Sequence, residues 1–171
     1  MQHSRAVEIA FGTVSASCFQ VRTGRLASLG TLLIVRTYHG AMSIFTRIFA
    51  GDIPATFVYT DEICGVFLPI NPLATGHVLV VPKVEVDEWI DLPEATVSHL
   101  MAVAQRIGKA QKAAFGCRRV GVIIAGFEVP HVHIHVIPTN EMSQLDFANA
   151  APHSERSDLE AAASALRAHL R

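Results

Sequence analysis

The sequence predicts a single domain that mixes strands and helices, and three observations support this fold class. Five short segments, rich in branched apolar residues and bounded by turn-forming residues, fit β-strands. Segments 93–115 and about 157–170 repeat apolar residues every three to four positions, as amphipathic helices do. At 171 residues, 50% of them hydrophobic, the chain is long enough to bury one substantial core.

The strand-like segments follow each other in an order that predicts two neighbouring pairs. Segments 57–59 and 65–68 are separated by a short polar turn, which favours a hairpin. Segment 78–81 is continuously apolar, as expected for a strand covered on both faces, and Pro82 is expected to end it. Segment 119–124 turns into segment 130–138, so we expect these two strands to pair.

The helical segments carry recognisable ends. A short helical turn from Ser43 is expected to stop at Gly51, and the main helix, from Pro93 to Phe115, is followed by Gly116 where a C-terminal cap belongs. After a polar loop, the last helix runs from about Ser157 to Leu170, and we expect it to serve packing or dimer contacts.

Segment 130–138 carries three histidines that alternate with branched apolar residues. Side chains at i, i+2 and i+4 of a strand leave from the same face, so His131, His133 and His135 are expected to stand side by side. Three imidazoles are costly to bury, because every shielded ring nitrogen needs a partner. The alternation therefore predicts one packed face and one chemical face.

Composition narrows the classes of partner and location. The 14 basic and 15 acidic residues nearly balance, which gives no reason to expect a nucleic-acid partner. Apolar runs end well before the ~18 residues that a membrane span needs, so no membrane partner is expected. Cys18, Cys64 and Cys117 are scattered and odd in number, which favours a reducing, cytoplasmic compartment and no structural zinc of the usual cysteine spacing.

Residues 1–41 differ from the rest, with four arginines against the single acid Glu8. A targeting peptide would show a basic start, an apolar centre and a cleavage site in sequence, and that order is missing. The break in composition favours an N-terminal extension ahead of a natural start at Met42. The expected division is an extension over 1–41, a main domain over 42–140 and a C-terminal loop and helix over 141–171.

Several blocks resemble the histidine-triad (HIT) family, in family order: 51–55, 58–59, 70–72, 76–83, 125–126 and the His-Val-His-Ile-His-Val run at 131–136. The resemblance covers residues 42 to about 140. It implies an α+β fold with an antiparallel sheet, usually in a homodimer. It also implies binding of purine nucleotides, and hydrolysis or transfer of nucleoside monophosphate groups without a cofactor.

The resemblance also implies a role for each site residue. His133 is the nucleophile that becomes nucleotidylated, while His131, His135 and His77 orient it and contact the phosphate or the leaving group. The backbone around Gly126–Val129 is expected to donate hydrogen bonds to developing charge. The implied nucleotide-binding residues are Ile70, Asn71, Gly126, Phe127, Glu128 and Val129. The chemistry suits the residues, since a neutral imidazole attacks phosphorus and water then opens the phosphoramidate.

The chain departs from the family pattern at three places. Ser43 and Thr46 stand where many members have zinc-binding cysteines, so we predict no zinc there. Pro69 replaces an acid that holds ribose hydroxyls in many members. Phe127 and Glu128 replace polar residues, which predicts either an altered leaving-group preference or weak catalysis with binding retained.

Three functional hypotheses follow. The first is a hydrolase that cleaves nucleoside 5'-phosphoramidates, acyl-adenylates or dinucleoside polyphosphates through a nucleotidyl-histidine intermediate. The alternative is a purine-nucleotide-binding module with little or no turnover. The third is a metal site on the histidine face, against which stands the fact that zinc usually draws ligands from more than one element.

Overall fold

A computed structural model describes residues 42–170, and the expectations for residues 1–41 lie outside this range. The chain forms a five-stranded antiparallel sheet with the order β1-β2-β3-β5-β4. Its strands are β1 (Thr56–Thr60), β2 (Cys64–Leu68), β3 (Val78–Pro82), β4 (Arg119–Ile124) and β5 (Ile134–Thr139). The helices are α1 (Ile44–Ala50), α2 (Glu94–Phe115) and α3 (Arg156–Ala168), with 3-10 turns at Trp89–Asp91, Met142–Leu145 and Phe147–Asn149. The α+β fold and the antiparallel sheet are confirmed.

The pairing of the strands follows the sequence. β1 and β2 form the expected antiparallel hairpin, and β4 pairs with β5. The central strand β3 lies between β2 and β5, and all five of its residues are buried. The residues of β3 are all apolar because the strand has a neighbour on each edge and is covered on both faces.

Two helices cover one face of the sheet. The buried face of α2 and the apolar side of α3 pack with β5 and β1 to form the larger core. Val132, Ile134 and Val136 all belong to this core, so the alternation correctly identified the packed face. At the end of α2, Gly116 adopts a left-handed conformation with φ 64°, as the cap prediction required.

The opposite face is covered by α1. Ser43 caps its N-terminus, where the side chain accepts a hydrogen bond from the Thr46 N–H, and Gly51 ends it with φ 84°. Phe45 from α1 packs with Phe67 and with two residues of β3, Leu79 and Val81. This second core lies beside the histidines.

The histidine segment is less regular than the alternation predicted. The strand begins at Ile134 and not at Pro130, so His131 and His133 precede β5. The ladders to β3 and β4 both end at Ile134, which pairs with Val80 and Ile124. The segment before it turns instead, with the His131 N–H bonded to the Val129 carbonyl at 2.8 Å.

The region from 42 to 170 contains no helix that is both long and apolar enough to cross a bilayer.

Candidate active site

The four predicted catalytic histidines follow the length of β3, from His77 just before its first residue to His131 beside its last residue, Pro82. The ring centroids of His133 and His135 are 4.9 Å apart, and those of His135 and His77 are 5.2 Å apart. His77 is delivered by the turn at Gly76, whose φ is 84°. A Cβ at Gly76 would lie 2.1 Å from the Phe115 ring, so this turn requires glycine.

His133 is held by a backbone carbonyl. Its Nδ1 lies 2.8 Å from the carbonyl oxygen of His131, and a carbonyl can only accept. The proton of a neutral His133 ring therefore sits on Nδ1, and Nε2 carries the free lone pair. His133 is 7% exposed, so its ring is almost completely buried.

His77 and His135 form a second hydrogen-bonded pair. The Leu73 N–H donates to His77 Nδ1 at 3.0 Å, so the proton of neutral His77 is on Nε2. That Nε2 lies 3.0 Å from His135 Nδ1, which must accept. The proton of His135 is thus on Nε2, available as a donor to a ligand.

Burial keeps both rings of this pair neutral. Burial, with a further effect of His135, lowers the pKa of His77 to about 3. Burial, with a further effect of His133, lowers the pKa of His135 to about 4. At neutral pH both side chains are therefore uncharged hydrogen-bonding groups.

His131 is fully enclosed, although it lies on the face that the alternation predicted to be chemical. It is 0% exposed; its Nε2 lies 2.8 Å from the Pro82 carbonyl oxygen, and its Nδ1 lies 2.7 Å from Ser43 Oγ. The cost of burying this imidazole is offset because both ring nitrogens have partners. The Phe45 ring covers His131 and His133, with centroid separations of 5.6 and 5.1 Å.

The predicted backbone donors form the turn that precedes the histidines. Gly126 has φ 85°, Phe127 is 98% exposed, and Glu128 is exposed. Val129 packs against the core beside α1. A cavity of about 310 Å³ is lined by His133 and by residues of this turn and of segment 87–89.

Ile70 and Asn71 lie in the loop between β2 and β3. Ile70 is 61% exposed, and its carbonyl accepts from the Ser154 N–H at 2.9 Å. With its amide turned over, Asn71 donates to the Pro152 carbonyl at 3.2 Å.

A larger cavity, about 570 Å³, is lined by residues of this loop and of the C-terminal segment and by none of the four histidines. The smaller cavity at His133 is therefore the better candidate for the reacting group.

Sequence reasoning missed several residues that contact the histidines. Phe147 meets His135 edge-on with a centroid separation of 4.9 Å. The sequence marks Ser43 as the start of a helical turn and as a replaced zinc ligand, and it marks neither Phe45 nor Glu85, which is linked to His131 through Ser43. These side chains come from distant parts of the chain, and no spacing in the sequence marks them.

One group of metal-ligating side chains occurs among residues 42–170, and it lies outside the histidine face. Potential ligand atoms of Asp61, Cys64 and His99 lie within 4.8 Å of each other. The carboxylate, however, already accepts hydrogen bonds from the N–H groups of Ile63 and Cys64, from Tyr59 Oη and from His99 Nε2. These bonds outweigh the effect of burial and hold the pKa of Asp61 well below its usual range. The group serves to join the β1–β2 turn to α2.

The chain is similar to several curated proteins. It is 33% identical over 129 residues to an uncharacterized HIT-like protein of Mycobacterium tuberculosis, covering 72% of this chain and 90% of that protein. It is 30% identical to an adenylylsulfatase of Arabidopsis thaliana, covering 74% of this chain and 68% of the relative. It is 33% identical to an adenosine 5'-monophosphoramidase of Saccharomyces cerevisiae, covering 59% and 65%.

Solved structures and a family model agree with these relatives. A HIT-like protein of Bartonella henselae superposes with a TM-score of 0.67 at 30% identity, covering 75% of this chain and 96% of that one. A zinc-bound histidine-triad protein of Mycobacterium smegmatis gives a TM-score of 0.64 at 32% identity, covering 74% and 91%. The model of the HIT domain matches residues 50–142, more than half of the chain. The chain therefore belongs to the histidine-triad family.

Proposed function

We propose that the protein hydrolyses nucleotide conjugates through a nucleotidyl-His133 intermediate. The observation that carries this proposal is the 2.8 Å contact from His133 Nδ1 to the His131 carbonyl, which leaves the Nε2 lone pair free to attack phosphorus. The substrate class is nucleoside 5'-phosphoramidates, acyl-adenylates or dinucleoside polyphosphates, with a purine nucleotide as the bound part. The yeast monophosphoramidase and the plant adenylylsulfatase support adenylate conjugates.

In the proposed reaction each histidine has a role that its hydrogen bonds support. His133 Nε2 forms the bond to phosphorus as the bond to the leaving group breaks, and the leaving group takes a proton from solvent. The positive charge that develops on the His133 ring is stabilised through Nδ1–H by the His131 carbonyl. The His135 Nε2–H donates to a phosphate oxygen. His131 and His77 orient their neighbours, because both ring nitrogens of each are engaged within the protein.

In the second step, water attacks phosphorus and the bond to His133 Nε2 breaks. This releases the nucleoside monophosphate and one proton, and His133 returns to the neutral form protonated on Nδ1. One difficult displacement is thus divided into two easier ones.

The proposal is tested by the intact mass of the protein after rapid mixing with an adenosine phosphoramidate. We expect an added adenylate that decays as AMP is released, and we expect it to be absent from His133→Ala. The matched control is His153→Ala, an exposed histidine that should form the adduct as the parent does. An adduct that persists in His133→Ala contradicts the assignment of the nucleophile.

A nucleotide-binding module without turnover is the second candidate. It is favoured by the fully exposed Phe127 and the acidic Glu128 on the turn before the histidines, because a carboxylate close to phosphate disfavours catalysis. Tight binding of AMP in calorimetry, beside an absent adduct and absent release of AMP, supports this module and overturns the hydrolase.

We also propose that the active form is a homodimer in a reducing, cytoplasmic compartment. Cys64 and Cys117 are both buried free thiols, which suits such a compartment. Within residues 42–170, β4 pairs only with β5, so its outer edge is open to another strand. Beside it, Met101 and Val122 are 42% and 44% exposed. An open edge next to exposed apolar side chains suits a second copy of the chain.

A further inference from the structure

A cluster of polar side chains links the start of α1 to His131. Ser43 Oγ lies 2.7 Å from His131 Nδ1 and 3.1 Å from Thr46 Oγ1. The Thr46 hydroxyl donates to the Glu85 carboxylate, which also accepts the Ser43 N–H at 3.1 Å. The cluster thus joins three segments that are far apart in the sequence.

The hydrogen bonds of this cluster have a fixed direction. Because the Pro82 carbonyl can only accept, His131 carries its proton on Nε2 and its Nδ1 must accept. The Ser43 hydroxyl therefore donates to His131, while its oxygen accepts the Thr46 N–H at 3.1 Å. Glu85 is the final acceptor, since the Thr46 hydroxyl and the Ser43 N–H both point to it.

The charges agree with this direction. The slight burial of Glu85 raises its pKa, but hydrogen bonds from Thr46 and Ser43 outweigh that effect and lower it below the usual value. Burial lowers the pKa of His131, although the Pro82 carbonyl and Glu85 act in the opposite sense. The cluster thus combines an ionised carboxylate with a neutral imidazole at neutral pH.

The cluster reaches the nucleophile through one carbonyl group. The His131 ring is fixed at both nitrogens, and the carbonyl of the same residue accepts the His133 Nδ1–H at 2.8 Å. A shift of the His131 ring and backbone would move the atom that sets both the tautomer and the direction of His133. Small displacements of a reacting group are costly in rate.

We propose that Ser43, Thr46 and Glu85 form a hydrogen-bonded clamp that positions the nucleophile His133 through His131. All three are positioning residues, and Glu85 anchors the clamp with its charge. This inference rests on the proposed function, because it names residues that serve the same site. Many family members have metal-binding cysteines at the positions of Ser43 and Thr46. In this chain the same positions contribute hydroxyls to a hydrogen-bonded clamp.

The first test compares Thr46→Val with Thr46→Ser in steady-state hydrolysis of an adenosine phosphoramidate. Thr46→Val keeps the shape of the side chain but removes the donor to Glu85. We expect kcat to fall about tenfold with KM within about twofold, since nucleophile geometry and not binding is lost. Thr46→Ser restores the hydroxyl and should restore most of kcat. Glu85→Ala is measured in the same way, and Glu62→Ala, at an exposed acid outside the clamp, is its control for lost negative charge.

The second test observes the ring nitrogens directly. Nitrogen-15 NMR of labelled histidines should show His131 protonated on Nε2 and His133 protonated on Nδ1 in the parent protein. In Thr46→Val and in Glu85→Ala, we expect the His131 signal to move towards a mixture of tautomers and the His133 signal to broaden. A residue that only stabilises the fold would leave these signals in place in the folded variant.

The outcomes separate the clamp from the proposed function. If the parent turns over substrate and both Thr46→Val and Glu85→Ala retain its kcat and its histidine signals, the clamp is overturned and the hydrolase stands. If the parent forms no adduct and releases no AMP, the hydrolase fails. In that case unchanged His131 and His133 signals in the variants overturn the clamp, and altered signals support it as an anchor of the ring alone.

Discussion

At the scale of single residues, the strongest constraint is that His77 is buried without charge. Its ring is 1% exposed, and its pKa is lowered to about 3, first by burial and then by His135. In the unfolded chain an ordinary histidine has a pKa near ~6.5. Between these two pKa values His77 is protonated in the unfolded state but not in the folded state, so stability falls as the pH drops from about 6.5 towards 3.

We therefore predict that the free energy of unfolding is smaller at pH 5 than at pH 8, with His77 alone contributing about 2 kcal/mol of the difference. Urea titrations at the two pH values and one protein concentration measure it. His77→Gln should be less stable at both values but should show a pH-dependent difference smaller by about this amount. His169→Gln, at an exposed position, is the matched control and should retain the parent's difference. An unchanged difference in His77→Gln contradicts the prediction.

The sequence predicted which histidines the fold brings together in the candidate site but not the residues that hold them. Alternation alone predicted that His131, His133 and His135 stand together, and the resemblance added His77. The partners of His131 could not be found in this way, because Ser43 is 88 positions away and Glu85 reaches the ring only through α1. The direction of each hydrogen bond depends on backbone carbonyls, such as that of Pro82, whose placement comes only from the folded chain.

At the scale of elements, the start of α1 brings two hydroxyl side chains close to His131 and Glu85, and two better ligands at those positions would complete a metal site. Ser43 Oγ and Thr46 Oγ1 are 3.1 Å apart, and His131 and Glu85 approach them from two other segments. Cysteines at the two hydroxyl positions would complete a set of two thiolates, an imidazole and a carboxylate, which suits tetrahedral zinc. We predict that the double variant S43C/T46C binds one zinc ion per chain, measured by elemental analysis after purification and by competition with a coloured chelator.

The matched control for this prediction is S43A/T46A, which also lacks the hydroxyls but offers no thiolate. We expect neither this control nor the parent to hold zinc at one equivalent. The zinc content of the parent also measures the background from the cysteines that it already has. Zinc at one equivalent in the parent would contradict the expectation that hydroxyls here exclude the metal. A zinc-free S43C/T46C variant would show that the cluster cannot adopt ligand geometry.

Elements with strong local signals were predicted well, and the irregular ones were not. The glycines after α1 and α2 ended both helices as expected, because a left-handed cap is a local requirement. The start of β5 was predicted too early, since a strand needs neighbours and both ladders end at Ile134. His131 and His133 therefore both contact the Phe45 ring, as residues on one face would, but they are not part of the paired strand.

At the scale of the whole molecule, helices cover both faces of the described sheet, and β1 and β4 form its two edges. The sequence predicted a packed face and a chemical face, but α1 also covers the histidine side with the Phe45 cluster. Of the eight ring nitrogens of the four histidines, six have hydrogen-bond partners within residues 42–170. On the described chain β4 forms an edge of the sheet, and Val122 on this strand is 44% exposed.

We predict that the parent protein is a dimer in light scattering at micromolar concentration and that Val122→Lys shifts it to a monomer. A lysine at the centre of an edge-to-edge contact places two like charges close together, where apolar burial would otherwise stabilise association. Ile63→Lys is the matched control, because Ile63 is 40% exposed at the β1–β2 turn and β1 forms the other edge of the sheet. A parent that is monomeric overturns the proposed dimer, and a Val122→Lys variant that remains dimeric moves the contact away from β4.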